Sequence, residues 1–178
     1  IVALAGLGEA SIGDTVATGD APEALPTIEL EAPTLSIYIG PNTSPLKGRE
    51  GEFTTSRQIG DRLKRELETN IALRLEPQGL GYKVSGRGEL HLSVLIETMR
   101  REGYEFAVSK AEVLYKEDEN GKLLEPIERA IIDVPEEFSG SVIEKLSNRK
   151  GELTSMSTAS SGYTRLEFSI PARGLIGY

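Results

Sequence analysis

Twice in succession the apolar residues of this chain change spacing in the same order, from every second position to a helical period and back, and nothing else in the sequence constrains its fold more. The first pass starts at Thr34. Leu35, Ile37 and Ile39 alternate with Ser36, Tyr38 and Gly40, the pattern of a half-buried strand. After a Gly-containing loop over 41–53, Thr55 and Gln58 form a capping box ahead of a helix that puts Ile59, Leu63 and Leu67 on one face. Ala72 to Glu76 and Tyr82 to Ser85, separated by Pro77, Gly79 and Gly81, read as a hairpin. Gly86-Arg87-Gly88-Glu89 opens a second helix, with Leu90, Val94, Leu95 and Met99 expected to face inward. Gly103 stops it, and Phe106 to Leu114 is expected to resume a strand. The order β-α-β-β-α-β predicts a ferredoxin-like unit over 34–116, one antiparallel sheet with both helices on one face.

Lys116 to Lys122 is a charged turn around Asn120-Gly121 and marks a boundary, after which the order begins again over 123–178. Pro126 to Val134 carries an apolar Ile131-Ile132 centre, and Ser139 to Lys150 forms a helix burying Val142, Ile143 and Leu146. Glu152 to Thr158 and Tyr163 to Ile170 pair around Ser160-Ser161-Gly162. Leu175 and Ile176 would open the next helix, so one helix and one strand of the repeat are missing. The fold class expected is α+β, two tandem ferredoxin-like (βαββαβ) domains with the second truncated. A sheet face and a strand edge left uncovered favour dimerisation, strand swapping or poor order beyond Ile170. Residues 1–33 read as the last strands of a β-barrel, from the short runs Ile1 to Leu4 and Thr15 to Ala17, with a linker over Ala21 to Pro33 that holds three prolines; a flexible arm is the alternative.

Composition narrows the chemistry. No apolar stretch reaches the roughly 18 residues that a spanning helix needs, so no membrane partner is expected. The absence of cysteine removes disulfides and thiolate metal sites, and a single histidine, His91, disfavours zinc. No G-x-x-x-x-G-K-[ST] loop is present, so no cofactor is expected in these residues. His91 lacks partners for a triad and reads first as a capping or packing residue, with a functional contact as the alternative. The net charge of -8 is uneven: six of the 28 acids lie in Ile1 to Ser36 with no base, leaving 22 acids against 20 bases in the remainder. Within that balanced body Lys47 and Arg49 sit in a Gly-containing loop, Arg87 at a helix entrance, Arg149 and Lys150 at a helix exit and Arg173 in a turn. Cations at loop tips and helix ends suit phosphate contacts that position a protein on structured RNA without reading its sequence. Arg62, Lys64 and Arg65 interleave with Glu66 and Glu68 and are better explained by pairing one helical turn apart.

GRGELHLSVLIETMRREG (86–103) resembles the GxGELHL helix of the third domain of elongation factor G and its relatives, and with Arg87 it is similar to the TypA/BipA family of ribosome-associated GTPases. NTSPLKGREGEFTTSRQIGDRLKRELETN (42–70) resembles the same family, EPIERAIIDVPEEFSGSVIEKLSNRKGEL (125–153) is similar to the start of the fifth-domain fold, and IPARGLIGY (170–178) to the family's strand end and turn. GDTVATGD (13–20) is shared with many translation factors. The resemblance implies a cytoplasmic protein whose GTP and Mg are bound by an N-terminal domain outside these residues, and whose third and fifth domains contact rRNA and ribosomal proteins near the factor-binding site. It places Arg87, Glu89 and His91 at the family helix start and Arg173 at its basic turn. The chain is therefore expected to be a non-catalytic, ribosome-binding portion of such a protein. The alternative is a small-ligand-binding regulatory module built from paired ferredoxin-like domains.

Overall fold

Leu35, Ile37 and Ile39 point from one strand into the first core and are almost wholly buried, as their alternation requires. That strand, β1 (Leu35–Pro41), is central to the first sheet in a computed structural model that describes residues 1–6, 10, 12–19, 22–27, 30–160 and 162–178. Glu9, Asp20, Ala21, Glu29 and Ser161, which entered the sequence reading, lie outside the described residues. Helix α1 (Ser56–Leu67) begins at the expected capping box: the Gln58 N–H donates to the Thr55 hydroxyl, and the Thr55 N–H donates to the Gln58 side chain. β2 (Arg74–Gln78) and β3 (Gly81–Gly86) form the hairpin, α2 (Glu89–Arg101) follows, and β4 (Phe106–Val108) returns to β1. The order β2-β3-β1-β4, antiparallel throughout, is that of a ferredoxin-like sheet. Pro77 is tolerated because β2 is an edge strand.

Two local expectations are corrected. In α2 the inward residues are Leu92, Leu95 and Met99, whereas Leu90 and Val94 are exposed at 78% and 57%. The segment LHLSVLI is apolar on two adjacent stripes, and its own period cannot say which one meets the sheet. The strand expected over Phe106 to Leu114 is split into β4 and β5 (Glu112–Val113), both paired with β1. Ser109 causes the break: its hydroxyl accepts the Tyr38 N–H at 2.9 Å, replacing a ladder bond with a side-chain bond.

A small hairpin, β6 (Lys116–Glu117) and β7 (Leu123–Leu124), turns at Asn120-Gly121, where the Asp118 carboxylate accepts the Asn120 and Lys122 N–H groups. The second sheet has β8 (Ile127–Pro135) and β9 (Glu152–Ser160) flanking β10 (Tyr163–Pro171), with α3 (Ser139–Asn148) on one face. Leu146, Leu166, Phe168 and Ile170 are fully buried there. Ile132, Val142 and Ile143 pack against that core and Ile131 points outward. The chain then makes one helical turn, α4 (Ala172–Leu175), rather than a second long helix. Residues after Ile170 are nevertheless tied down, with Ala172 and Gly174 buried.

The barrel tail expected over 1–33 has no counterpart among the described residues before Thr34. Ile1 to Leu4 and Thr15 to Ala17 form no strand and are exposed. A strand there needs a neighbour to take its backbone hydrogen bonds, and the described residues of 1–33 supply none.

Candidate nucleic-acid interface

The basic residues singled out from the sequence fall into two groups at opposite ends of β1. With seven residues at about 3.3 Å each, that strand separates them by roughly 20 Å. At its far end lies the loop over 42–53 with Lys47 and Arg49; at its near end, beside Thr34, lie Arg87 and His91 and the segment gripped by Arg149.

The loop is built around a carboxylate that the sequence did not bring forward. Glu105 is 8% exposed, and its oxygens accept the Gly48 and Glu50 N–H groups at 2.9 Å and the Asn42 side-chain amide at 2.8 Å. These donors, the Glu50 and Gly48 N–H groups foremost, hold the carboxyl down at about 2. Gly48 stands at φ +84, which lets consecutive N–H groups converge on one anion. A side chain at Gly51 would run into the Gly103 carbonyl, so the loop lies directly on the end of α2. Phe53 stacks on Tyr104 with centroids 4.9 Å apart, and the Phe53 N–H donates to the Gly103 carbonyl. Lys47 and Arg49 are exposed on this clamped loop and form no ion pair among the described residues.

At the other end Arg87 is exposed, while its N–H donates to His91 Nδ1 at 3.3 Å. His91 Nε2 therefore carries the proton and donates to the Asn70 side chain at 3.0 Å. Burial first, and the Arg87 charge second, push the His91 pKa down, so the ring is neutral and fastens the start of α2 to the turn after α1. This is the capping role, and both ring nitrogens are used.

Arg149 is committed inside the protein. Its guanidinium donates to the carbonyls of Gly174 and Ile176 at 3.0 Å and lies 5.5 Å over the Tyr178 ring. Arg173 is half exposed and paired with Glu125. Lys150 is exposed and has φ +70, a left-handed conformation at the end of α3 where glycine is usual. The segment that Arg149 holds joins the two sheets: Leu175 packs on the second core, Ile176 on the first, and the Gly177 N–H donates to Glu89 at 2.8 Å. Thr34 adds a bond to Glu128.

Near this junction a cleft of about 640 Å³ is lined by Glu31, Arg87, Lys116, Glu125, Glu128 and Arg129, among others. Three of these six charges are already engaged, Glu125 with Arg173, Glu128 with Thr34 and Arg129 with Glu167. Among the described residues no group of acids and histidine could hold a metal ion, and no helix is long and apolar enough to cross a membrane.

Sequence spacing could not have revealed Glu105 or the task of Arg149. The partners of Glu105 stand 55 to 63 residues away, and Arg149 binds backbone carbonyls, which leave no mark in a sequence. The one local hint is the Asn42-x-Ser44 turn, in which the Ser44 N–H donates to Asn42.

Comparison with known proteins adds an independent line. Residues 122–178 match the family model described as elongation factor G C-terminus. Over its whole length the chain is 54% identical to the large ribosomal subunit assembly factor BipA of Synechocystis, 53% to that of Haemophilus influenzae and 51% to that of Escherichia coli K12. The chain spans 29–30% of the length of these curated relatives.

Proposed function

From the premise that this chain is a stretch of TypA/BipA-family sequence along its whole length, we propose that it is the ribosome-contacting portion of such a protein, binding rRNA of the large subunit through its exposed cations. The observation that carries the reading is that Lys47, Arg49 and Arg87 are exposed and form no ion pair among the described residues, with Lys150 at a helix end, on a scaffold whose loops are pinned from within. Arg149 is removed from the contact set and becomes part of the scaffold, and His91 orients Arg87 rather than touching RNA. Arg173 joins the contact only by giving up Glu125.

On this reading the parent acts in the cytoplasm, GTP and Mg are bound outside these residues, and the chain itself performs no hydrolysis. The relatives' name, large ribosomal subunit assembly factor, makes the large subunit the partner to test first. The small-ligand alternative has less behind it, because Glu125, Glu128 and Arg129 in the junction cleft are already engaged with Arg173, Thr34 and Glu167.

The test is binding to purified large ribosomal subunits by the chain and its Lys47→Glu, Arg49→Glu, Arg87→Glu triple variant. We expect affinity to fall at least tenfold near 100 mM salt, and the dependence of log affinity on log salt to flatten by about 2 to 3, one phosphate contact per cation. Unchanged affinity and slope in a folded triple variant would sink the reading.

A further inference from the structure

We infer that Glu105 is the positioning residue of this interface: an internal carboxylate that folds the 42–53 loop around itself and thereby fixes Lys47 and Arg49 for simultaneous contact with two phosphates. The inference rests on the proposed RNA contact and deepens it. The 42–53 loop has an apolar anchor at its end, Phe53 on Tyr104, but the stretch Lys47, Gly48, Arg49, Glu50 and Gly51 has no apolar side chain, and Leu46 beside it is 55% exposed. Without an internal tie, ordering the two long cations on RNA would cost each of them rotamer and backbone freedom at the moment of binding. Glu105 meets that cost in advance. Its two oxygens take the N–H groups on either side of Arg49, at Gly48 and Glu50, and the Asn42 amide closes the loop at its other end.

The placement of Glu105 is itself fixed. It follows Gly103-Tyr104 at the end of α2, its own N–H donates to the Phe53 carbonyl at 3.1 Å, and Tyr104 stacks on Phe53. The carboxylate is thus held by the helix end and the loop is held by the carboxylate. Its negative charge faces inward onto N–H donors, and the two cations face solvent, so Glu105 organises them without neutralising either. Glu50, also on the loop, is the acid nearest in sequence to Arg49 and is exposed.

The experiment is a cycle on the chain with purified large ribosomal subunits as the probe. It compares Glu105→Gln, the Lys47→Ala, Arg49→Ala pair, and all three changes together, with hydrogen exchange followed at Gly48 and Glu50. We expect Glu105→Gln to lose protection at those two amides while the core amides of Leu63 and Met99 keep theirs. Its affinity should fall roughly tenfold and its salt slope by about 1.5, as in the pair, with the combined variant losing no more. Asn42→Ala, which removes one tie only, should give a smaller loss in the same direction, and serves if Glu105→Gln fails to fold. Binding weakened by the pair but untouched by Glu105→Gln would overturn the positioning role and leave the RNA contact standing. Binding untouched by the pair would remove this loop from the interface and the inference with it. Retained protection at Gly48 and Glu50 in Glu105→Gln would also overturn it.

Discussion

The two sheets share an order of elements and differ in how they are clothed. Over the first lie α1 and α2, and its central strand β1 buries Leu35, Ile37 and Ile39 to 6% exposure or less. Over the second lies one long helix, α3, joined only by the single turn α4 through Leu175. β10 beneath it is sealed, with Leu166, Phe168 and Ile170 at 0%, yet the same inward face of β8 leaves Ala130, Ile132 and Val134 only half-buried. Strand alternation determines which way a side chain points, and helix coverage determines whether pointing that way removes it from water. Equivalent patterns therefore carry different energies in the two units.

The largest effects should expose that difference directly. Leu63→Ala beneath the paired helices and Phe168→Ala beneath α3 should each cost about 3–4 kcal/mol in chemical denaturation, whereas Ile132→Ala on half-covered β8 should cost only about 1 kcal/mol. Equal losses at Phe168 and Ile132 would break the comparison.

The next effect concerns charge. In the first unit Arg62 is 7% exposed and bridges Glu66 on its own helix and Glu102 beyond α2, and these carboxylates raise its pKa further. The second unit has cross-strand pairs in water instead, Arg165 with Asp133 and Arg129 with Glu167. Arg62→Ala should cost roughly 2–3 kcal/mol by leaving two partly covered carboxylates unpaired. Arg129→Ala should change stability by less than about 0.5 kcal/mol. A large cost for the exposed pair, read in the same denaturation experiment, would contradict the distinction.

The smallest effect compares two helix ends of one design. α2 closes with Gly103 at φ +88, its N–H donating to the Arg100 carbonyl and the Tyr104 N–H to Met99; α3 closes with Lys150 at φ +70, bonded to Ser147, and the Gly151 N–H to Leu146. Lys150→Gly should stabilise the chain by about 0.5–1 kcal/mol while weakening binding to large ribosomal subunits. Thermal melts showing no gain would deny that the lysine is strained; a gain with unchanged binding would make the strain idle.

Legibility in the sequence followed the range of the interaction. The capping box at Thr55 and Gln58, the inward triplet of β1 and the alternation of β10 are set by neighbours within four residues and could be read directly. The orientation of α2 could not, because Leu90 and Leu92 are equally apolar and only the sheet chooses between them. The cations were visible as residue types in loops, but Arg149 and Arg173 were indistinguishable there from Arg87 until their partners, 25 and 48 residues away, were known. Strand formation at Ile1 to Leu4 or Thr15 to Ala17 would need a neighbour to hydrogen-bond, and the described residues of 1–33 offer none, so the barrel reading of that stretch has no local signal to follow.

Ile176 is carried by one unit and sheltered by the other. Hinging the two sheets apart would draw that side chain into water and break the Gly177 N–H bond to Glu89, so the seven residues from Ala172 to Tyr178, held to their own unit by Arg149, act as a strut. The distance between the cations of the first loop and those near the strut becomes a built-in gauge, set before any surface is met. A surface whose phosphates match the gauge receives its second contact at high effective concentration, and one that does not match gains almost nothing from it.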